Sequence, residues 1–450
     1  MTFSAVRVGR AAAVGFGAQC MGGNLTHFSG HTHGLWAQTA PPLQTDRLTG
    51  STTAQVLVIG AGFTGLSTAL HLGERGISVV VLEAADVGFG GSGRNVGLVN
   101  AGLWLEPDSV IDRVGETYGE RLIRLLGEAP KTVFEIIDRY GIACEARNNG
   151  TLHCAVGRKG RDEIERRFRQ WQSRGAPVEL LSEKESAQKL GTAAYAGALL
   201  DRRAGTIQPL AYVRGLAGAA LSEGARIFTG DAVERVEHGK LGWTAITARG
   251  AVRAPWIVVA TDVYAAGPWR AIAQEQIRLP YFNFASAPLD EAARRSVLPE
   301  GHGAWDTQAV LKSFRLDSAG RLIFGSVGAL RAGGAAIHRA WAKRAAQTIF
   351  PQLRGLEFES EWYGTIGMTA DNVPRFHELA PNVISVSGYN GRGIAPGTVF
   401  GKEVAGYILG DKGAADLPLP PTRVKEARFA APRSAIYEIG ALLVHACTAK

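Results

Sequence analysis

Apolar positions change period twice between Gln55 and Ala84. "QVLVI", Gln55 to Ile59, is an unbroken apolar run that stops at glycine, which predicts a strand buried on both faces. In the following "GLSTALHLGERG", Leu66, Ala69, Leu70 and Leu72 fall near helical spacing, and Gly73 and Gly76 close the segment. "ISVVVLEA" then reads as a second buried strand. Strand, glycine turn, helix and parallel strand within about 30 residues make a βαβ unit.

Further along, "SVIDRVGETYGERLIRLLGEAPKTVFEIIDRYG" has the periodicity of paired amphipathic helices, with Pro130 expected as the break. "GTLHCAVG" reads as a strand; "RDEIERRFRQWQSRG" and "YVRGLAGAALSEG" read as helices. From Ala225 to Thr261, alternation and turn spacing predict an antiparallel meander ending in the buried strand "WIVVA". Strand-like pieces then surround a helix over "DEAARRSVL", and "IHRAWAKRAAQTIF" predicts a long helix. "NVISVSGYNGRGIAPGTVFGKEVAGYILG" returns to strand, glycine turn and helix. The expected organisation is a nucleotide-binding unit assembled from 50–110, 200–275 and 360–415. A substrate unit from 111–199 and 276–359, an N-terminal extension over 1–45 and a tail over 416–450 complete it.

The turn "GAGFTG", Gly60 to Gly65, carries the first chemistry. Gly60 permits the tight turn, Gly62 lets backbone approach a pyrophosphate, and Gly65 lets the helix pack on the strand, while Ala61, Phe63 and Thr64 complete the loop. Free N–H groups and the helix dipole then face the phosphates. Glu83, followed by Ala84, ends the second strand where an acid accepts hydrogen bonds from a ribose, and it argues against a 2′-phosphate there. FAD and NAD both remain compatible with this much. "FGGSGRNVG" adds Ser92, Gly93, Arg94 and Asn95 on a polar loop able to wrap a second phosphate or reach a flavin ring. "SVSGYNGRG" feeds a second helix N-terminus, whose dipole would stabilise negative charge on a reduced flavin; a nicotinamide needs no such feature.

Composition narrows the classes. A formal charge of +8 on 450 residues suggests anionic partners, but the basic residues are interspersed with acids, as in "RDEIERRFRQ", and read as a solvated face. Nucleic acid is not expected as a partner. The four cysteines, Cys20, Cys144, Cys154 and Cys447, form no CxxC pair, so neither a zinc site nor a disulfide framework is indicated and a reducing cytoplasm fits. His31 and His33 in "HTHG" lack partners at ligand spacing, and no metal is expected. No apolar run is long enough to span a membrane.

Taken in order, "VLVIGAGFTGLSTALHLGERGISVVVLEA", "GGSGRNVG", "GTIQP", "IVVATDVYA", "RLIFGS", "GMTADNVP" and "SGYNGRGIA" resemble the FAD-dependent D-amino acid oxidase family, most closely its γ-glutamylputrescine-oxidase-like branch. The resemblance implies an α/β fold: a Rossmann-like FAD-binding domain with an interleaved α+β substrate domain built on an antiparallel sheet. It implies noncovalent FAD held by Gly60, Gly62, Gly65, Glu83, Ser92, Arg94 and Asn95, with Val233 at adenine, Thr261 beside the cofactor, and Gly391, Gly393, Ile394 and Thr398 in the closing flavin loop. Covalent relatives carry a cysteine at the position of Gly364, and oxygen-using relatives a lysine at the position of Ile323, so the electron acceptor is either oxygen or another carrier.

The implied reaction is oxidation of a C–N bond in a small amine or amino acid by hydride transfer to flavin N5, giving an imine that water hydrolyses. Arg392 and Arg94 are the candidate clamps for a substrate carboxylate. Tyr389, with Tyr363 and Tyr281, is a candidate aromatic wall. An NAD-dependent dehydrogenase and a noncatalytic flavin-binding protein are the competing readings.

Overall fold

The computed structural model describes residues 33–330, 333–425 and 430–447. Five parallel strands form its nucleotide-side sheet in the spatial order Arg226–Phe228, Val79–Leu82, Val56–Ile59, Trp256–Val259 and Val383–Ser387. Arg375–Ala380 extends this sheet antiparallel, and Pro421–Thr422 pairs outside it. Val56–Ile59 and Val79–Leu82 are buried along their whole length, as strands covered on both faces must be. The helix Phe63–Gly73 returns between them and packs against the helices Pro209–Ser222 and Ile394–Ile408. Leu66, Ala69, Leu70 and Leu72, the positions that carry the helical period, are fully buried in it.

The second sheet has eight strands, in the order Phe358–Met368, Ile277–Pro288, Arg321–Val327, Lys312–Leu316, Gly303–Asp306, Thr151–Cys154, Ala198–Asp201 and Val178–Leu181. All its pairs are antiparallel except Gly303–Asp306 with Thr151–Cys154. Phe358–Met368 lies in this sheet, so the chain crosses back to the nucleotide side only after Met368.

Two element expectations are corrected. The meander comprises Arg235–Gly239, Gly242–Ile246 and Gly250–Ala254, with Gly50–Thr53 added parallel at its edge. Two strands expected in it lie in the nucleotide-side sheet instead: Arg226–Phe228 pairs parallel with Val79–Leu82, and Trp256–Val259 with Val56–Ile59. An apolar run buried on both faces fits the centre of a parallel sheet better than the end of a half-solvated meander. Pro130 does not break its helix: Glu116–Tyr140 runs through it, and the interruption falls at Gly115, whose φ of 79° separates this helix from Pro107–Val114. Leu122, Leu126, Ala129 and Val133 continue one buried stripe across the proline, and that burial outweighs the lost backbone bond.

The segment expected as an N-terminal extension is packed where it is described. Leu35–Thr39 is helical, Trp36 is fully buried with its ring 5.2 Å from that of Trp362, and its Nε1 donates to Asn95 O at 2.9 Å. Residues 1–32, including Cys20 and His31, lie outside the described residues. At the other end Ala430–Cys447 is a helix, and Ser434 Oγ accepts from Arg278 N–H at 3.0 Å. Among the described residues no helix is long and apolar enough to cross a membrane, and no group of three or more His, Cys, Asp or Glu is placed to hold a metal ion.

Candidate active site

Four parallel strands deliver their carboxyl ends to one place. Val56–Ile59 ends at Gly60, Val79–Leu82 at Glu83, Trp256–Val259 at Thr261 and Val383–Ser387 at the loop 388–393. Ligands of open α/β sheets bind outside such ends, where successive connections leave in opposite directions. Hydrogen bonds tie the ends together. Glu83 Oε2 accepts from Ala61 N–H at 2.8 Å and its Oε1 from Ala85 N–H at 2.9 Å. Asp262 Oδ1 accepts from Gly388 N–H at 2.8 Å, and Tyr389 and Thr64 share a hydroxyl contact of 2.5 Å. Burial raises the pKa of both Glu83 and Asp262 above the ordinary carboxylate value, while these N–H donors pull it back.

The glycine turn has the tolerances its motif implies. Gly60 has φ of 103°, and a Cβ there would lie 2.8 Å from Ala260 O; a Cβ on Gly65 would collide with Gly60 O. Phe63 N–H, at the helix N-terminus, donates to Ser92 Oγ at 3.1 Å, so the loop at 91–93 reaches the turn directly. Thr261 Oγ1 is buried beside them with no protein partner. Val233 is half-buried on the loop entering Arg235–Gly239, two residues after Asp231, whose N–H donates to Glu83 O at 2.9 Å. Ala84 is exposed at the same strand end.

Other residues expected at the cofactor bond within the protein. Asn95 donates to Gly91 O and Ser92 O at 3.0 and 2.9 Å and accepts from Gly97 N–H, so its side chain shapes the loop. Gly93 N–H donates to Gly88 O at 3.0 Å in the same loop. Thr398 is buried between helices, with its hydroxyl on Ile394 O and 3.1 Å from that of Tyr212. Arg94 is buried over the Phe89 ring, its Nη1 is 3.5 Å from Tyr363 O, and desolvation lowers its pKa. Tyr281 is hydrogen-bonded to Ser313, Tyr363 packs against Phe282, and Tyr389 packs against Phe400.

Gly391, at φ of 82°, and Gly393, which caps the helix Ile394–Ile408, carry Arg392 between them. The Arg392 guanidinium packs against two rings that themselves meet edge to face, 4.8 Å from Trp104 and 4.6 Å from Trp305, and its Nη1 donates to Ala101 O at 2.9 Å. Burial and the charge of Arg167 push its pKa well below that of a free guanidinium. The segment that presents Ala101 and Trp104 is itself anchored through Pro130. A proline has no N–H for the carbonyl four residues before it, and that carbonyl, Leu126 O, accepts from Gly102 N–H at 2.8 Å.

A model of the FAD dependent oxidoreductase (DAO) family matches residues 55–407. The chain belongs to this family. It is 32% identical over 427 residues to the γ-glutamylputrescine oxidoreductase of Escherichia coli (strain K12), covering 91% of this chain and 98% of that protein. Among solved structures, glycine oxidase from Geobacillus kaustophilus aligns at a TM-score of 0.67 and 20% identity, over 82% of this chain and 99% of the other. L-amino acid deaminase from Proteus myxofaciens aligns at 0.69 and 16%, over 84% and 95%. The residues of this DAO-family chain fit FAD: a close-packed glycine turn, an acid at the second strand end and the orphaned Thr261 hydroxyl lie together where a dinucleotide would be gripped.

Sequence patterns missed several residues beside Arg392. Trp104 and Trp305 belong to no motif. Arg167, read as part of a solvated face, is buried, with its guanidinium on the carbonyls of Leu103, Trp104 and Leu105. The one available signal was helical position: Ile164, Arg167 and Trp171 share the buried face of Gly157–Gln172.

Proposed function

We propose that this protein oxidises the C–N bond of a small amine or amino acid with noncovalently bound FAD. The observation that carries this reading is the convergence of the Gly60–Gly65 turn, Glu83, Thr261 and the Gly391–Ile394 loop at the ends of adjacent parallel strands, with the buried Arg392 beside them. The names of similar proteins, γ-glutamylputrescine oxidoreductase and glycine oxidase, support an amine as donor. Segments 50–110, 200–275 and the chain after Met368 grip the cofactor in this reading; the eight-stranded sheet shapes the substrate side.

When bound, FAD supplies the electron acceptor for hydride from the substrate's α-carbon. The protein's share is to bind, orient and keep water out. Arg392 offers a guanidinium edge to a substrate carboxylate, while Trp104 and Trp305 pack against it and exclude solvent. A neutral amine stabilises the forming iminium with its own lone pair, so no protein base is required. Water then converts the imine to a carbonyl product and an amine or ammonia.

Gly364 supports noncovalent attachment. It stands at the position of the cysteine in covalent relatives, and even a Cβ there would lie 3.2 Å from Arg94 Cβ. Ile323, fully buried on Arg321–Val327, occupies the position of the oxygen-assisting lysine, which favours an acceptor other than oxygen. Cys144 and Cys154 are buried free thiols with raised pKa, compatible with a reducing cytoplasm. The purified protein is expected to be yellow and to bleach anaerobically with one member of a panel of amines and D-amino acids. Colourless protein that is stabilised by NAD points to the nicotinamide alternative, and yellow protein that no amine bleaches points to a noncatalytic flavin binder.

A further inference from the structure

The helix Ala430–Cys447 packs on the strand Ile277–Pro288 and the helix Gly334–Ile349 with its polar side inward. Ser434, Glu438, Ala441 and His445, spaced four, three and four apart, are the buried positions. Glu438 Oε2 accepts from Leu330 N–H at 3.1 Å, and Ser434 Oγ accepts from Arg278 N–H. His445 Nδ1 lies 3.0 Å from His338 Nδ1, with its ring 4.2 Å from that of Trp341. The apolar side faces out. Ile436, Ile439 and Leu443 are 67%, 55% and 58% exposed and form one stripe with Gly440, while Tyr437 flanks it at 53%. Of the seven large apolar side chains exposed among the described residues, five stand on this helix. Scattered exposed apolar residues are ordinary, but a gathering of this kind on one face marks an interaction surface.

Charge and shape identify what covers it. From Ala435 to Val444 the only charged residue is Glu438, and it is turned inward. A helix that lies on a lipid surface sets Lys and Arg beside its apolar stripe, and this stretch has neither. A charged partner would find nothing here to pair with. A second copy of the same face does match, because a two-fold contact sets a patch against itself and therefore requires it to be neutral or self-complementary. Antiparallel pairing about the midpoint of Ile439 and Gly440 puts Ile436 of each copy against Leu443 of the other. It also seats Ile439 in the gap over Gly440, where an added Cβ would meet nothing within 4 Å. The four large side chains on both copies, with the small residues between them, hide about 1,000 Å², the lower bound of a specific interface. Affinity in the micromolar range follows.

We propose that the outward face of Ala430–Cys447 is a homodimer contact, in which this helix pairs antiparallel with the same helix of a second copy. The inference goes beyond the amine-oxidation reading and does not rest on it. Because the helix packs on Ile277–Pro288, the contact joins two copies through the side of the molecule that carries the eight-stranded sheet.

Sedimentation velocity of the purified full chain, from nanomolar to high micromolar concentration, is expected to show a reversible monomer–dimer equilibrium. Leu443→Glu sets a carboxylate against Ile436 of the other copy and is expected to raise the dissociation constant roughly tenfold or more. Adding Ile436→Lys to that variant places opposite charges against each other at both ends and is expected to recover most of the loss. Leu241→Glu, a similarly exposed change between Arg235–Gly239 and Gly242–Ile246, is expected to leave the equilibrium as it is. Circular dichroism checks that each variant is folded, and Ile439→Glu carries the test if Leu443→Glu is not. A monomer at every concentration, a dimer untouched in the folded glutamate variants, or a double variant without recovery overturns the proposal. Two other occupants have their own signatures, and either one overturns it as well. A monomer that sediments with phosphatidylcholine–phosphatidylglycerol vesicles, and ceases to do so as Leu443→Glu, shows a lipid surface; a monomer that dimerises only once residues 1–32 are deleted shows that this segment covers the face.

Discussion

The hydroxyl of Thr64 lies 2.5 Å from that of Tyr389, although 325 positions separate them along the chain. One stands on the first turn of the helix behind the glycine loop, the other at the entry to the closing loop. This buried contact joins the helix that follows Val56–Ile59 to the loop that follows Val383–Ser387. Thr64→Val and Tyr389→Phe are each expected to cost about 1 kcal/mol, with a coupling of about 0.5–1.5 kcal/mol in the double variant. Urea unfolding of the four proteins measures it, and simple additivity would remove the contact's role.

Gly62→Val places a side chain where a Cβ alone already lies 2.9 Å from Ser92 Oγ. The variant is expected to fold, by circular dichroism, and to lose its absorbance near the flavin bands. Retained flavin at wild-type stoichiometry would refute the placement of the pyrophosphate at this turn.

Arg392→Ala removes the guanidinium packed against Trp104 and Trp305. KM for carboxylate-bearing amines should rise by roughly tenfold to a hundredfold, the worth of a charge-assisted bond, with FAD content unchanged. Steady-state kinetics across carboxylated and uncharged amines checks this, and a uniform rise for both classes would point to a loosened loop instead.

Pro130→Ala restores a helical N–H that competes with Gly102 for Leu126 O. Helix propensity predicts a more stable protein, yet the segment carrying Ala101 and Trp104 loses an anchor. The expected result is a higher melting temperature together with a raised KM. A variant that gains stability and keeps its KM would show that the Gly102 bond does not set the site.

His33 is buried, with a ring nitrogen 3.1 Å from Gly88 O, and burial together with the charge of Arg94 lowers its pKa to about 4. An unfolded histidine titrates near 6.5, so between these values the unfolded chain binds the extra proton and stability rises with pH. On acidification from pH 6.5 towards 4, His33 is expected to remove up to about 1.4 kcal/mol per pH unit. His33→Gln should flatten that part of the stability profile in chemical denaturation at stepped pH, and an unchanged slope would refute the assignment.

Much of the cofactor side was legible because its constraints are local. Gly60, Gly62, Gly65 and Glu83 lie within 24 consecutive positions, and a turn of fixed shape demands those residue types at those spacings. Pro130 misled for the same reason that Trp256–Val259 did. Local rules assign a proline to a break and an apolar run after hairpins to the same sheet, but burial of Leu126 and Val133 in one case, and pairing with Val56–Ile59 in the other, decided otherwise.

The substrate side was mostly illegible. His153 and Trp305 meet only because strands distant in sequence pair in register, and Arg167 turns inward only because its helix buries that face. By itself, the sequence determined the βαβ crossover, its glycine turn and the terminal acid, since each depends on backbone geometry that neighbours along the chain impose. Only the tertiary structure decided which basic residues leave solvent and face one another, because desolvation and side-chain approach are properties of packed surfaces rather than of spacing.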